Sequence, residues 1–274
     1  MDIHSEIANL KRLFALYEAV ETLDLAAPPT ARIVFPDSAT VPRRVGILCG
    51  SFNPLTLAHT ELAEGALAFA LDTVFFTLAK VTVDKEQVTG MSLEDRLLLL
   101  SLFAARHDQM GVALVNRGLY FEQAQAFRTL LGEEAGLYFL VGMDKLLQIF
   151  DPRYYQNRDA ALQQLFAIAS LIVANRGDMD EVNFSQFLDR PENRRFRTYV
   201  NFFTLSAAVT DLSATALRTA LAAGHPIDSQ VPPETTAFLT ETQAFAPPLQ
   251  RGTEAVDVYA ARLRLLSKLY AERS

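Results

Sequence analysis

The chain has no tryptophan, a single cysteine and no apolar run long enough to cross a bilayer. With Cys49 alone, an intrachain disulfide is excluded, and its place inside an apolar run points to a buried thiol in a reducing compartment. The longest apolar stretches, such as residues 97–105, fall far short of the ~20 residues of a membrane span. Basic charge is also scarce: 25 Lys and Arg stand against 32 Asp and Glu, a net charge of −7. That balance disfavours nucleic acid polymers and anionic membranes, which need a basic surface, but not a small anionic ligand held by local positive charge. The four histidines and the cysteine show no zinc-ligand spacing, so no protein metal centre is expected. Asp2 and Glu6 put acids where a signal peptide carries bases. A cytoplasmic chain is the expectation.

Half of the 274 residues are hydrophobic, enough for a sizeable core. Apolar runs at 45–49, 73–79, 112–116, 137–142, 171–174 and 199–205 are predicted as buried strands. Between them stand segments with helical periodicity, including one whose start at Ser92 is an N-cap followed by acids. Alternation of this kind means βαβ units, and the predicted fold is a Rossmann-like, doubly wound, mainly parallel α/β sheet with flanking helices. Residues 1–42 are predicted as a helix over 3–23 followed by a connector with four prolines between 28 and 42 and one short extended piece at 32–35. The core domain is expected over 43–246. Residues 178–197 read as a solvated, charge-rich excursion whose arginines can reach an anion. Residues 247–274 read as a last amphipathic helix that packs on the core, on the first helix, or on a partner subunit in a homo-oligomer.

The most informative stretch is Gly50-Ser51-Phe52-Asn53-Pro54-Leu55-Thr56-Leu57-Ala58-His59. A buried strand, a tight turn and a helix start hold phosphate well, because unpaired N–H groups and the helix dipole favour an anion there. Ser51, Asn53, Thr56 and His59 all bring hydrogen-bond donors to it, and Thr56 and His59 share one face of the first turn. On its own the stretch is also an ordinary loop. A second segment, Leu212-Ser213-Ala214-Thr215-Ala216-Leu217-Arg218, sets two hydroxyls and a guanidinium at another helix start, which suits a polyphosphate. It reads equally as a capped helix with a surface arginine. The third, Gly142-Met143-Asp144, places a glycine and an acid at a strand end, where an acid can take ribose hydroxyls.

Together these segments resemble the HxxH-type nucleotidyltransferases. Within that superfamily the chain is similar to the nicotinamide/nicotinate mononucleotide adenylyltransferases, roughly over residues 43–245. Gly50 to His59 matches their Gly-Ser-Phe-Asn-Pro-x-(Thr/His)-x-x-His pattern, and Leu212 to Arg218 their (Ile/Leu)-Ser-x-Thr-x-(Ile/Leu)-Arg pattern. Gly142 and Asp144 follow in order between them, and Tyr120-Phe121-Glu122 stands where the family tends to have Trp-Glu. Two departures stand out: Thr56 replaces the first histidine of the commoner His-x-x-His, and the ring-stacking role passes to Phe121.

The resemblance implies transfer of an adenylyl group from ATP to the mononucleotide phosphate, with pyrophosphate leaving and Mg²⁺ bound through the nucleotide phosphates. It implies that Gly50, Ser51, Phe52 and Thr56 hold phosphate oxygens, that His59 donates to the α-phosphate, and that Ser213, Thr215 and Arg218 grip the leaving phosphates. Gly142 and Asp144 would take the ribose side of ATP. Ser51, Asn53, Phe121, Lys85 and Arg176 would serve the mononucleotide. Two rival readings remain at this stage: an adenylyl- or cytidylyltransferase for another phosphorylated acceptor, and a nucleotide-binding regulator without catalysis.

Overall fold

The structure, a computed structural model, describes residues 3–36, 42–81, 90–251 and 254–272. The helix predicted over 3–23 is two helices, α1 (Ile3–Ile7) and α2 (Leu10–Glu21). Asn9 divides them: it leaves helical geometry, and its Oδ1 accepts the Arg12 N–H at 3.3 Å, capping the second. The proline-flanked piece is a full strand, β1 (Ala31–Phe35).

The nucleus of the fold follows as β2 (Arg44–Cys49), α3 (Leu57–Ala66), β3 (Thr73–Ala79), α4 (Leu93–Ala104) and β4 (Met110–Val115). Next come α5 (Tyr120–Leu131), β5 (Gly136–Gly142), α6 (Met143–Ile149), α7 (Arg158–Ile168) and β6 (Ala169–Ala174). After α8 (Glu181–Asp189) and β7 (Val200–Phe203), the chain ends in α9 (Ala214–Ala222), α10 (Pro233–Thr242), the ribbon β8 (Leu249–Arg251) with β9 (Glu254–Val256), and α11 (Val258–Ala271).

Seven strands form one sheet in the order β1-β4-β3-β2-β5-β6-β7. Every neighbouring pair is parallel except β1 with β4. Antiparallel β1 therefore brings a segment upstream of Arg43 into the sheet as its edge. Side chains alternate across the pleat: Leu48, Val74, Phe76 and Leu140 pack on one face, Ile47, Phe75 and Phe139 on the other. Both faces are covered by helices, which is why the strands read as unbroken apolar runs. From β2 the chain winds outward through β3 and β4, then crosses back to add β5 directly beside β2. The strand order reverses between these two, and the crevice beyond their C-terminal ends is the natural ligand position.

Residues 178–197 differ from expectation. They fold onto the sheet, burying Phe184, Phe187, Leu188 and Phe196, with Phe150 and Phe166 completing an aromatic cluster. Their arginines serve local contacts: Arg190 lies over Phe187, Arg195 over Phe196 and against Asp159, and Arg197 on Asp189. Phenylalanines spaced for a buried face outweigh the charges that made the segment look solvated.

At the far side, α11 meets α2, with Tyr270 stacked on Tyr17 at 4.0 Å between ring centroids. It also meets α4, where Arg262 bonds Asp95 at 2.9 Å.

Candidate active site

The loop after β2 is built around Phe52. Its ring is 1% exposed and lies edge-on to Phe76 and to the imidazole of His59. Glycine at 50 is a steric necessity, since a Cβ there would meet the Phe52 ring at 2.9 Å. Phe52 itself takes left-handed backbone (φ 42°), a conformation that costs a bulky residue about 1–3 kcal/mol and is held here by burial of its ring. Its side chain is thus core, and anything it offers a nucleotide comes from its backbone.

The carbonyl oxygens of this loop point at cations. Arg96 Nη1 donates to the Ser51 carbonyl at 3.1 Å and Arg218 Nη1 to the Asn53 carbonyl at 2.8 Å. The N–H groups of Ser51 and Phe52 take no partner among the described residues. A loop with two carbonyls turned to cations and two N–H groups left over is suited to an anion. The Asn53 side chain is 1% exposed and its Oδ1 accepts the Met91 N–H at 3.1 Å, so it shapes the loop where the sequence assigns it to the mononucleotide.

Thr56 is the N-cap of α3 and is wholly buried. Its backbone N–H and its hydroxyl both reach His59 Nδ1, at 3.1 and 2.8 Å. This corrects its expected role. The hydroxyl is engaged with the imidazole and does not face the crevice, so Thr56 orients His59 instead of holding a phosphate oxygen. Because Nδ1 accepts a backbone N–H, the proton of the neutral ring sits on Nε2, which becomes a directed donor.

Burial first, and the neighbouring Arg176 cation second, push the His59 pKa down to about 4 from 6.5. The ring is therefore neutral near pH 7. An unfolded chain takes up a proton near pH 6.5 that the folded one refuses until about pH 4. Stability is then expected to fall as pH drops through that window and to level off below it. Chemical denaturation from pH 7 to 4 checks this, and His59→Ala is expected to flatten the slope.

The other two segments converge on the same place. Arg218, reaching back from α9, joins its own Thr215 hydroxyl (3.1 Å) to the Asn53 carbonyl 165 residues earlier. Ser213 stands at the N-cap of α9 but makes no side-chain cap bond, which leaves its hydroxyl at the helix start. Glu61 of α3 accepts from the Ser206 N–H and hydroxyl, fastening the approach to α9. On the β5 side, Asp144 curls over Gly142 so closely that a Cβ there would meet its Oδ1 at 2.7 Å, and Arg176 Cδ lies 3.6 Å from the same point. Lys85 falls outside the described residues.

Beside the loop opens a cavity of about 250 Å³ lined by Cys49, Gly50, Ser51, Tyr120, Lys145 and the pair Tyr154 and Tyr155, among others. Tyr120, not Phe121, faces it. Both pack against the core, but neighbouring positions on a helix point about 100° apart, and Tyr120 is the one turned to the cavity. The Cys49 thiol donates to Gln123 Oε1 at 2.8 Å, and burial raises its pKa, so it is an inert wall. Arg96, Tyr154 and Tyr155 were not singled out in the sequence. Arg96 looks like any charge in the first turns of a helix, and the tyrosines like loop residues.

The chain is similar to several known proteins. A probable nicotinate-nucleotide adenylyltransferase of Synechococcus sp. (strain JA-3-3Ab) is 29% identical over 211 residues, covering 75% of this chain and 96% of its own. One from Chromobacterium violaceum is 26% identical over 221 residues, covering 74% and 98%. Among solved structures, Plasmodium falciparum nicotinic acid mononucleotide adenylyltransferase complexed with NaAD shares the fold, with a TM-score of 0.56 at 14% identity, over 74% of this chain and 97% of that one. The sequence pattern of one family runs from the middle of β2 into α9, residues 47–220, and so takes in all three segments of the crevice. The chain belongs to that cytidylyltransferase-like family of nucleotidyltransferases.

Proposed function

We propose that this chain transfers the adenylyl group of ATP to the phosphate of nicotinate or nicotinamide mononucleotide, releasing pyrophosphate, as a step of pyridine dinucleotide synthesis in the cytoplasm. The observation that carries the reading is the bond from Arg218 to the Asn53 carbonyl, which draws the two phosphate-binding helix starts to one loop. The relatives' names supply the acceptor class, and the tyrosine-lined cavity beside the loop has room for a flat ring.

The nucleophile is already a phosphate oxyanion, so no general base is needed. Catalysis is positioning plus stabilisation of charge at the crowded phosphorus. In this reading the Ser51 and Phe52 N–H groups and His59 Nε2–H converge on the α-phosphate. Thr56 fixes the ring that donates. Arg218, with the Ser213 and Thr215 hydroxyls, holds the β- and γ-phosphates and stabilises pyrophosphate as it leaves. Asp144 takes a ribose hydroxyl, Tyr120 and the Tyr154–Tyr155 pair hold the pyridine, and Arg176 lies on the acceptor-phosphate side. When bound, Mg²⁺ would neutralise charge on the phosphates. The loop offers mainly donors, which suit phosphate oxygens, with Asp144 as the nearby acid, so such an ion would be held chiefly through the nucleotide phosphates and water.

The test is pyrophosphate release from ATP and Mg²⁺ in the presence of each mononucleotide. Release that requires the mononucleotide, with the dinucleotide as product, is the expected outcome. ATP binding without release indicates a regulator, and release with only some other phosphorylated compound reassigns the acceptor.

A further inference from the structure

We infer that the C-terminal helix α11, which lies beyond the family's span, is a positioning element for the glycine loop and acts through the first turn of α4. Two of its residues reach that turn. The Tyr259 hydroxyl accepts the Ser92 N–H at 2.9 Å and donates to Asp95 Oδ2 at 2.8 Å. Arg262 donates to Asp95 Oδ1 at 2.9 Å. Asp95 is 0% exposed, and a carboxylate buried so deeply is tolerable only while paired and hydrogen-bonded. The start of α4 is therefore built to be completed by α11.

The inner side of the same turn holds the loop. Arg96, the residue after Asp95, donates through Nε to the Ser92 carbonyl at 3.3 Å and through Nη1 to the Ser51 carbonyl at 3.1 Å. Met91, just upstream, gives its N–H to Asn53. One turn of helix thus grips both Ser51 and Asn53 while α11 grips the turn. A trans peptide sends its N–H opposite to its C=O, so holding the Ser51 carbonyl aims the Phe52 N–H, one of the two unengaged donors of the loop. A shift of α4 at Asp95 is passed to that donor through a side chain with little room to adapt.

Both parts of this inference rest on the proposed function: the ATP-affinity part on ATP binding at the glycine loop, the transfer-rate part on the mononucleotide acceptor as well. Tyr259→Phe and Arg262→Leu are expected to raise the ATP Kd, measured by titration calorimetry, about tenfold, the scale of one charge-assisted hydrogen bond relayed in part to the site. They should also lower kcat and leave KM for the mononucleotide unchanged. Arg262→Lys should recover most of the ATP affinity. Tyr270→Leu, in the same helix but packed on Tyr17 and bonded to the Leu13 carbonyl, with no hydrogen bond to Asp95 among the described residues, should lower Tm and leave ATP affinity intact. The inference is overturned if Tyr259→Phe and Arg262→Leu lower Tm as Tyr270→Leu does and still bind ATP like the wild type. Where Arg262→Leu fails to fold, Tyr259→Phe, which removes one oxygen, decides alone. A wild type that binds ATP but transfers to neither mononucleotide would overturn the acceptor assignment, while the calorimetric comparison still decides the role of α11.

Discussion

His59→Ala is expected to lower turnover by about 10²–10³, the usual cost of removing one transition-state donor, with ATP affinity much less affected. The split follows from where the ring sits. Its Nδ1 is held by Thr56, its plane is set by the edge of Phe52, and its pKa near 4 keeps it neutral, so Nε2–H is an aimed dipole and not a ground-state counter-ion. A dipole of that kind gains most when charge grows at phosphorus. The deletion also leaves the Thr56 N–H without its partner inside the loop, a cost of about 1–3 kcal/mol, so stability must be measured beside rate. Steady-state kinetics and a thermal melt on one preparation separate the two. Turnover unchanged in a folded His59→Ala would remove His59 from the mechanism.

Arg218→Leu is expected to act on binding as well as rate. Its guanidinium holds the Asn53 carbonyl and the Thr215 hydroxyl with two of its five N–H donors, leaving the others for phosphate. Loss of hydrogen bonds from a charged group, about 1.5–3 kcal/mol, corresponds to roughly 10- to 100-fold in the ATP Kd. Turnover should fall by about the same factor again, because the leaving pyrophosphate loses its cation and the loop its tie. Arg218→Lys should be intermediate, since an ammonium keeps the charge but not the planar fork that spans two acceptors. Titration of ATP by calorimetry and kcat at saturating ATP check the two parts. ATP affinity left intact in Arg218→Leu would return this residue to the helix surface.

Much of the fold was legible because its signals are local. Residues 73–79 are a strand in sequence and structure alike, since a strand buried on both faces needs a continuous apolar run. Ser92 caps α4 by accepting the Asp95 N–H, as its position before two acids suggests. Gly224 stops α9 with a left-handed backbone (φ 75°) that glycine adopts without strain. The edge strand β1 is harder to read: five residues between prolines carry little pattern, and pairing with β4, as in Ala31 with Val115 and Phe35 with Val112, makes them a strand. In residues 178–197 the charges dominate the local pattern, and only packing on the sheet shows that Phe184, Phe187 and Phe196 are buried.

Within the site, residue types were legible and their roles were not. Thr56 was recognisable as a hydroxyl in the right place, yet only its burial assigns it to the imidazole. About 100° of rotation around the helix separates the roles of Tyr120 and Phe121, although side by side in sequence either aromatic would serve.

Sequence alone determined which segments end strands and open helices as tight turns, because glycine, caps and apolar runs act over a few neighbouring residues. Tertiary structure decided which donors stay available to a ligand, because a donor is engaged or left over according to partners far along the chain. Arg96 takes the Ser51 carbonyl from 45 residues away and Arg218 takes that of Asn53 from 165. Those two distant bonds occupy the loop's carbonyls and leave its Ser51 and Phe52 N–H groups suited to an anion.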